Sequence, residues 1–154
     1  MPRRPPSEPS GSADEVEAQF YDALQKGDLE RMMALWADDD EVVCVHPGGS
    51  RLVGPAAIRA SFAAVFANGG VPAEPEQVHR LAMLGGALHH LVERITVRGE
   101  RGQVEQGFVL ATNVYVKTGL GWRIAAHHAS PAMPDEAQVL AMAAGGADAP
   151  STLH

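Results

Sequence analysis

The chain of 154 residues has a single cysteine, eight aromatic residues and only 12 basic residues against 19 acidic ones. Each scarcity excludes something. One thiol, Cys44, cannot close an internal disulfide, which fits a reducing compartment, and a cytoplasmic location is the expectation. A formal charge of −7 and a pI near 5.4 leave no basic face on which phosphates could release their counterions, so nucleic acid is not an expected partner. No stretch reaches ~18 uninterrupted apolar residues, and no membrane-spanning helix is expected. G-x-S-x-G and the phosphate-cradling G-x-x-x-x-G-K-[ST] are both missing, and the GG pairs precede strand-like segments rather than helices.

What remains is a chain with 45% hydrophobic residues, enough for one domain with a real core. Residues 1–13, rich in proline and serine, read as a disordered leader, and residues 132–154 as a C-terminal tail that is partly helical or disordered. Between them, Val16, Phe20, Ala23 and Leu24 mark one amphipathic helix and Leu29, Met32, Met33 and Trp36 a second. Ser12 or Asp14 can cap the first, Gly27 ends it, and Asp28 can cap the second. VVCVH over 42–46 predicts a strand, PGGS a tight turn and RLV a short return strand. Gly54 and Pro55 open a third helix. From about residue 76, four strand-like segments separated by GG, RGERG and TGLG predict an antiparallel meander. Helices first and a long meander last suit an α+β fold in which a strongly curved sheet wraps the helices and leaves a cone-shaped cavity.

ADDDEVVCVHPGGSRLVGPAAIRASF, with its acidic loop, strand, proline turn, return strand and G-x-x-A-I-R helix, resembles the NTF2-like superfamily. It is similar above all to the ketosteroid isomerase and SnoaL-like branches, and ATNVYVKTGLGWRIAAHHASP resembles the last two strands of SnoaL-like proteins. The resemblance covers roughly residues 14–131 and implies an NTF2-like (cystatin-like) cone of three N-terminal helices in a curved antiparallel sheet. One scaffold hosts isomerases, cyclases, dehydratases and association domains, so it speaks for fold more than for function. In the isomerase branch the residue before the turn proline is a general-base aspartate, and His46 stands there. That branch also uses a tyrosine on the first helix and an acid on the penultimate strand. Phe20 and Val114 fall at or beside those positions, with Tyr21 and Asn113 each one residue away.

The pairs His89–His90 and His127–His128 raise the question of a metal. Adjacent strand residues face opposite sides, so each pair lends one ring to a cavity, and no two-ligand spacing or matching carboxylate accompanies them. No metal and no cofactor are expected. Strict alternation puts Trp122, Ile124, Ala126, His128 and Ser130 on one face and His127 on the other; the larger apolar set argues that His128 and Ser130 face the cavity. The catalytic candidates are therefore His46, His128 and Asn113. The candidates for ligand contact are Trp36, Tyr21, Met32, Cys44, Phe62, Glu93, Tyr115 and Ser130. Glu93 within LVERITV is either a solvent-facing strand position or, inside a cavity, a carboxyl of raised pKa able to act as an acid. Because both faces of 108–116 are apolar, the outer face is expected to be covered by a second copy of the chain. The function expected is a pocket protein for a small hydrophobic molecule. The alternative is a cofactor-independent isomerase, cyclase or dehydratase acting on a carbonyl-bearing ring with His46 as base.

Overall fold

The computed structural model describes residues 11–146; the N-terminal part of the leader and the last residues of the tail lie outside the described residues. Helix α1, Ala13–Lys26, starts where the Ser12 hydroxyl accepts the Glu15 N–H at 3.1 Å, and ends at Gly27, whose φ of 66° is the left-handed geometry that glycine adopts freely. Asp28 caps α2, Leu29–Ala34, by accepting the Arg31 N–H. The apolar run then gives β1, Val43–Val45, and its antiparallel return strand β2, Leu52–Val53. Pro55 occupies the first turn of α3, Pro55–Phe66, where a missing N–H costs nothing.

The meander follows as β3 Ala73–Met83, β4 Gly86–Arg98, β5 Val104–Thr118 and β6 Gly121–Pro131, and α4, Pro134–Gly146, comes last. β3 begins earlier than the apolar pattern suggests and includes Pro75, which it can accommodate because it is an edge strand. The six strands run in the order β2-β1-β6-β5-β4-β3, an open sheet wrapped around the helices as an α+β cone. The all-antiparallel expectation needs one correction, since β1 lies parallel to β6.

β6 also carries an extra residue. Val114 pairs with Ala126 but Tyr115 pairs with Ile124, so Ala125 is an unpaired bulge residue and alternation reverses across it. Ile124, His127 and Ala129 are buried, whereas His128 and Ser130 are exposed. On the concave side Leu91, Ala111, Tyr115 and Ile124 pack against Val16 and Phe20 of α1 and Ile58 and Phe62 of α3. On the convex side α4 covers part of the sheet, with Leu140 buried against Val92 and Phe108.

Candidate functional site

The register builds a lateral polar row on the concave face. Cys44 pairs with His127, His127 with Asn113, Asn113 with His89 and His89 with Arg80, and paired residues point to the same side. Above the row runs α1, whose Asp14, Glu17 and Tyr21 fall on one stripe at helical spacing. Two hydrogen-bonded groups result, one at each end of α1.

In the first, Tyr21 Oη donates to Glu93 Oε2 at 2.7 Å and accepts from Asn113 Nδ2 at 3.1 Å. Asn113 Oδ1 faces His127 Nδ1 at 2.5 Å. A carbonyl oxygen can only accept, so Nδ1 of His127 carries the proton and Nε2 presents a bare lone pair. Burial, reinforced by the neighbouring His46 and His128 rings, pushes the His127 pKa down to about 3, so the ring is neutral. Its Nε2 lies 3.9 Å from Glu93 Oε2. Burial raises Glu93 to about 7, against the opposing effect of the Tyr21 hydrogen bond. The wall therefore holds a carboxyl that is half-protonated near neutrality beside an imidazole that resists protonation.

His46 directly follows β1 and lines the same cavity as this wall. Ser61 Oγ donates to the Ile58 carbonyl at 2.7 Å and lies 3.0 Å from His46 Nε2. With its single proton so engaged, the hydroxyl accepts from Nε2–H and leaves Nδ1 of His46 as the basic nitrogen. Burial lowers the His46 pKa. Phe62 packs edge-on against the ring at 4.9 Å between centroids. His46, Glu93 and His127 line one cavity of about 130 Å³, whose other walls are Phe20, Leu24, Pro47, Phe62, Val65, Val71 and Ile95.

The second group joins Glu17 Oε1 to His89 Nδ1 at 2.8 Å and to the Tyr115 hydroxyl at 2.9 Å. Asp14 lies 3.9 Å from His89 Nε2 and accepts Arg80 Nε at 2.8 Å. Asp14, Glu17 and His89 are the one set among the described residues whose atoms converge as metal ligands would. Their donor atoms are already engaged by protein partners, and Arg80 brings a positive charge onto Asp14, so the set fits an internal ion network better than a cation.

Of the residues expected at the site, His46, Phe62 and Glu93 line the cavity. Tyr21 and Asn113 hold Glu93 and His127 rather than forming its wall. Trp36, Met32 and Cys44 are buried in the core, and burial pushes the Cys44 thiol up to about 12, which makes it inert. Tyr115 belongs to the Glu17 group. His128 and Ser130 are corrected outright: the Ala125 bulge turns both to solvent and puts His127 in the site. Glu17, whose partners lie 72 and 98 residues away, gave no sequence signal beyond its helical spacing to Tyr21.

A family model described as a SnoaL-like domain matches residues 14–134. No curated protein sequence matches the chain. A Thiobacillus denitrificans structure, described as a calcium/calmodulin-dependent protein kinase type II association domain, is 34% identical. It aligns over 81% of this chain and 98% of its own, with a TM-score of 0.73. A Streptomyces avermitilis structure, described as a dehydratase of the NTF2-like family, is 32% identical over 77% of this chain and 92% of its own, with a TM-score of 0.69. The S. rosetta CaMKII hub, at 20% identity, 80% and 99% coverage and a TM-score of 0.62, shares the fold.

Proposed function

Because the chain belongs to the SnoaL-like family, we propose that its cone is a pocket for a small, largely apolar molecule carrying one hydroxyl or carbonyl group. The observation that supports this is the juxtaposition of Glu93 and His127 in a cavity whose other walls, His46 apart, are apolar. Their facing oxygen and nitrogen offer a donor and an acceptor to one polar group of the ligand. About 130 Å³ is close to the size of an apolar cavity that takes benzene, at roughly 150 Å³, and well below the ~300 Å³ of pockets for drug-sized ligands. The occupant is therefore a single ring or a short branched chain.

A second reading is a cofactor-independent dehydratase, favoured by two groups of opposite preference on one cavity. His46 Nδ1 would remove a proton α to a carbonyl, and protonated Glu93 would give its proton to the β-hydroxyl as the C–O bond breaks and water leaves. The Streptomyces avermitilis structure described as a dehydratase supports this reading. In both readings the chain works as a homodimer joined through the part of the convex face that α4 leaves uncovered, as the structure described as an association domain suggests.

Ligand-observed NMR and thermal shift with cyclic ketones, hydroxylated aromatics and aromatic acids test the pocket. Hits are expected to raise the Tm of the native chain and to be lost in Phe62→Trp, which fills the cavity. Hits that survive Phe62→Trp, or a panel in which nothing binds below about 1 mM, would refute the pocket reading.

A further inference from the structure

The hydrogen bonds behind the cavity wall all run in one direction. Glu17 takes the Tyr115 hydroxyl proton at 2.9 Å, so Tyr115 Oη has only lone pairs left to offer. Asn113 is hydrogen-bonded to that oxygen and, at 3.1 Å, to Tyr21 Oη; in both cases it lowers the tyrosine pKa, which is the effect of a donor. Its amide protons are thereby spent on the two tyrosines, and its carbonyl oxygen is turned to His127 Nδ1. Tyr21, which receives a proton from Asn113, gives its own to Glu93 Oε2 at 2.7 Å. Glu17, outside the cavity, thus sets the polarity of a chain that ends inside it.

This direction fixes what the wall can offer a ligand. His127 keeps a nitrogen with a lone pair and no proton, and His46 spends its N–H on Ser61. Among the side chains that line the cavity, only Glu93 has a proton to give, on the oxygen that Tyr21 leaves free. Its pKa of about 7 keeps that proton in place below neutrality. Glu93 and His127 are each 4% exposed, and their 3.9 Å separation is too long for a hydrogen bond between them. One ligand oxygen can reach both.

We propose that the group held at Glu93 and His127 is a hydroxyl, which donates to His127 Nε2 and accepts from Glu93, and that the pocket rejects the matching carbonyl compound. The inference rests on the pocket reading above and narrows its ligand to alcohols and phenols of one small ring. A carbonyl oxygen has lone pairs only, so it satisfies Glu93 and leaves His127 Nε2 buried without a partner. A site built to bond a hydroxyl rejects an analogue lacking it far more strongly than an apolar pocket rejects a change of size. An ammonium group has protons only, and it meets a Glu93 that already holds one. In the dehydratase reading, the same position belongs to the leaving β-hydroxyl.

The test is ligand-observed NMR on the full native chain at about pH 6, below the Glu93 value, with cyclohexanol, cyclohexanone and cyclohexylamine. The three share one ring and differ in the polar group. Cyclohexanol is expected to bind at least ~10-fold more tightly than the ketone or the amine. In His127→Phe, with the fold confirmed by circular dichroism, the advantage of the alcohol over the ketone is expected to shrink to within ~2-fold. A proton–nitrogen correlation spectrum of the native chain, which needs no variant to fold, is expected to show His127 protonated at Nδ1 and its Nε2 signal moving when cyclohexanol is added. Equal or reversed native affinities, an undiminished advantage in folded His127→Phe, or a His127 proton on Nε2 overturns the inference alone, because the pocket itself still stands. If none of the three binds below about 1 mM, the pocket reading falls and this inference with it.

Discussion

Glu93 and His127 pull stability in opposite directions as pH changes. Glu93 moves from an ordinary 4.5 to about 7 on folding, so between those values the native state holds a proton that the unfolded state has released. Stability from this group is present below about 4.5 and is lost as pH rises through 7, by about 3 kcal/mol. His127 moves from 6.5 to about 3, so its contribution is present above 6.5 and is lost as pH falls toward 3, by about 5 kcal/mol. Between 4.5 and 6.5 the two slopes cancel, and the native chain is expected to show a plateau there. Glu93→Gln keeps the size of the side chain and removes one slope. That variant is expected to be more stable than the native chain at pH 8 and to weaken steadily below 6.5, as read from urea midpoints. Parallel curves for the two proteins would show that Glu93 titrates as an ordinary carboxyl. His46→Gln separates lining from scaffold: a shift within about 1 kcal/mol with loss of every ligand response is expected. A variant that unfolds markedly yet still binds places the ring in the scaffold instead.

At the scale of elements, two backbone features decide what the side chains can do. The first is the bulge at Ala125. Without it, period-two alternation from Ile124 would bring His128 inward; with it, His127 meets Asn113. Nothing in GWRIAAHHASP distinguishes these outcomes, because two alanines precede two histidines and either register buries one ring. The second feature is the approach of the loop after α3 to the end of α1. A Cβ on Gly70 would stand 1.9 Å from the Gln25 carbonyl oxygen and 2.9 Å from the Gly27 nitrogen, all backbone atoms that cannot swing aside. Gly70→Ala is therefore expected to cost more than ~3 kcal/mol. Gly48→Ala has open space around its Cβ but a φ of 75°, and is expected to cost about 1 kcal/mol in the same denaturation assay. Equal costs at the two positions would mean that the α1 contact yields more easily than its geometry implies.

At the scale of the molecule, the described helices include none long and apolar enough to cross a membrane. The sheet instead buries one face on α1 and α3 and part of the other on α4. This division leaves a cavity on the concave side and a partly uncovered convex face, separated by one strand layer. His89 and His90, like His127 and His128, divide between the two sides, one ring in each internal network and its neighbour exposed on the convex face. The two members of each pair thus face opposite sides of the sheet, an arrangement that follows from strand alternation.

Local chemistry in the sequence determined the capped helix starts at Ser12 and Asp28, the stop at Gly27, the proline opening of α3 and the order of helices before a meander. Each depends on residues within a few positions of one another, and the motifs around His46 carried the family resemblance for the same reason. The SnoaL-like family and the cone were legible on those grounds. Only the tertiary structure decided that β1 lies parallel to β6, that Glu93 is buried, and that His127 rather than His128 joins it. These outcomes depend on contacts such as Asn113–His127 and Tyr21–Glu93, 14 and 72 residues apart, and on a single bulge. A pKa of about 7 or 3 likewise arises from burial, a property of the packed molecule that no neighbouring residue in the chain encodes.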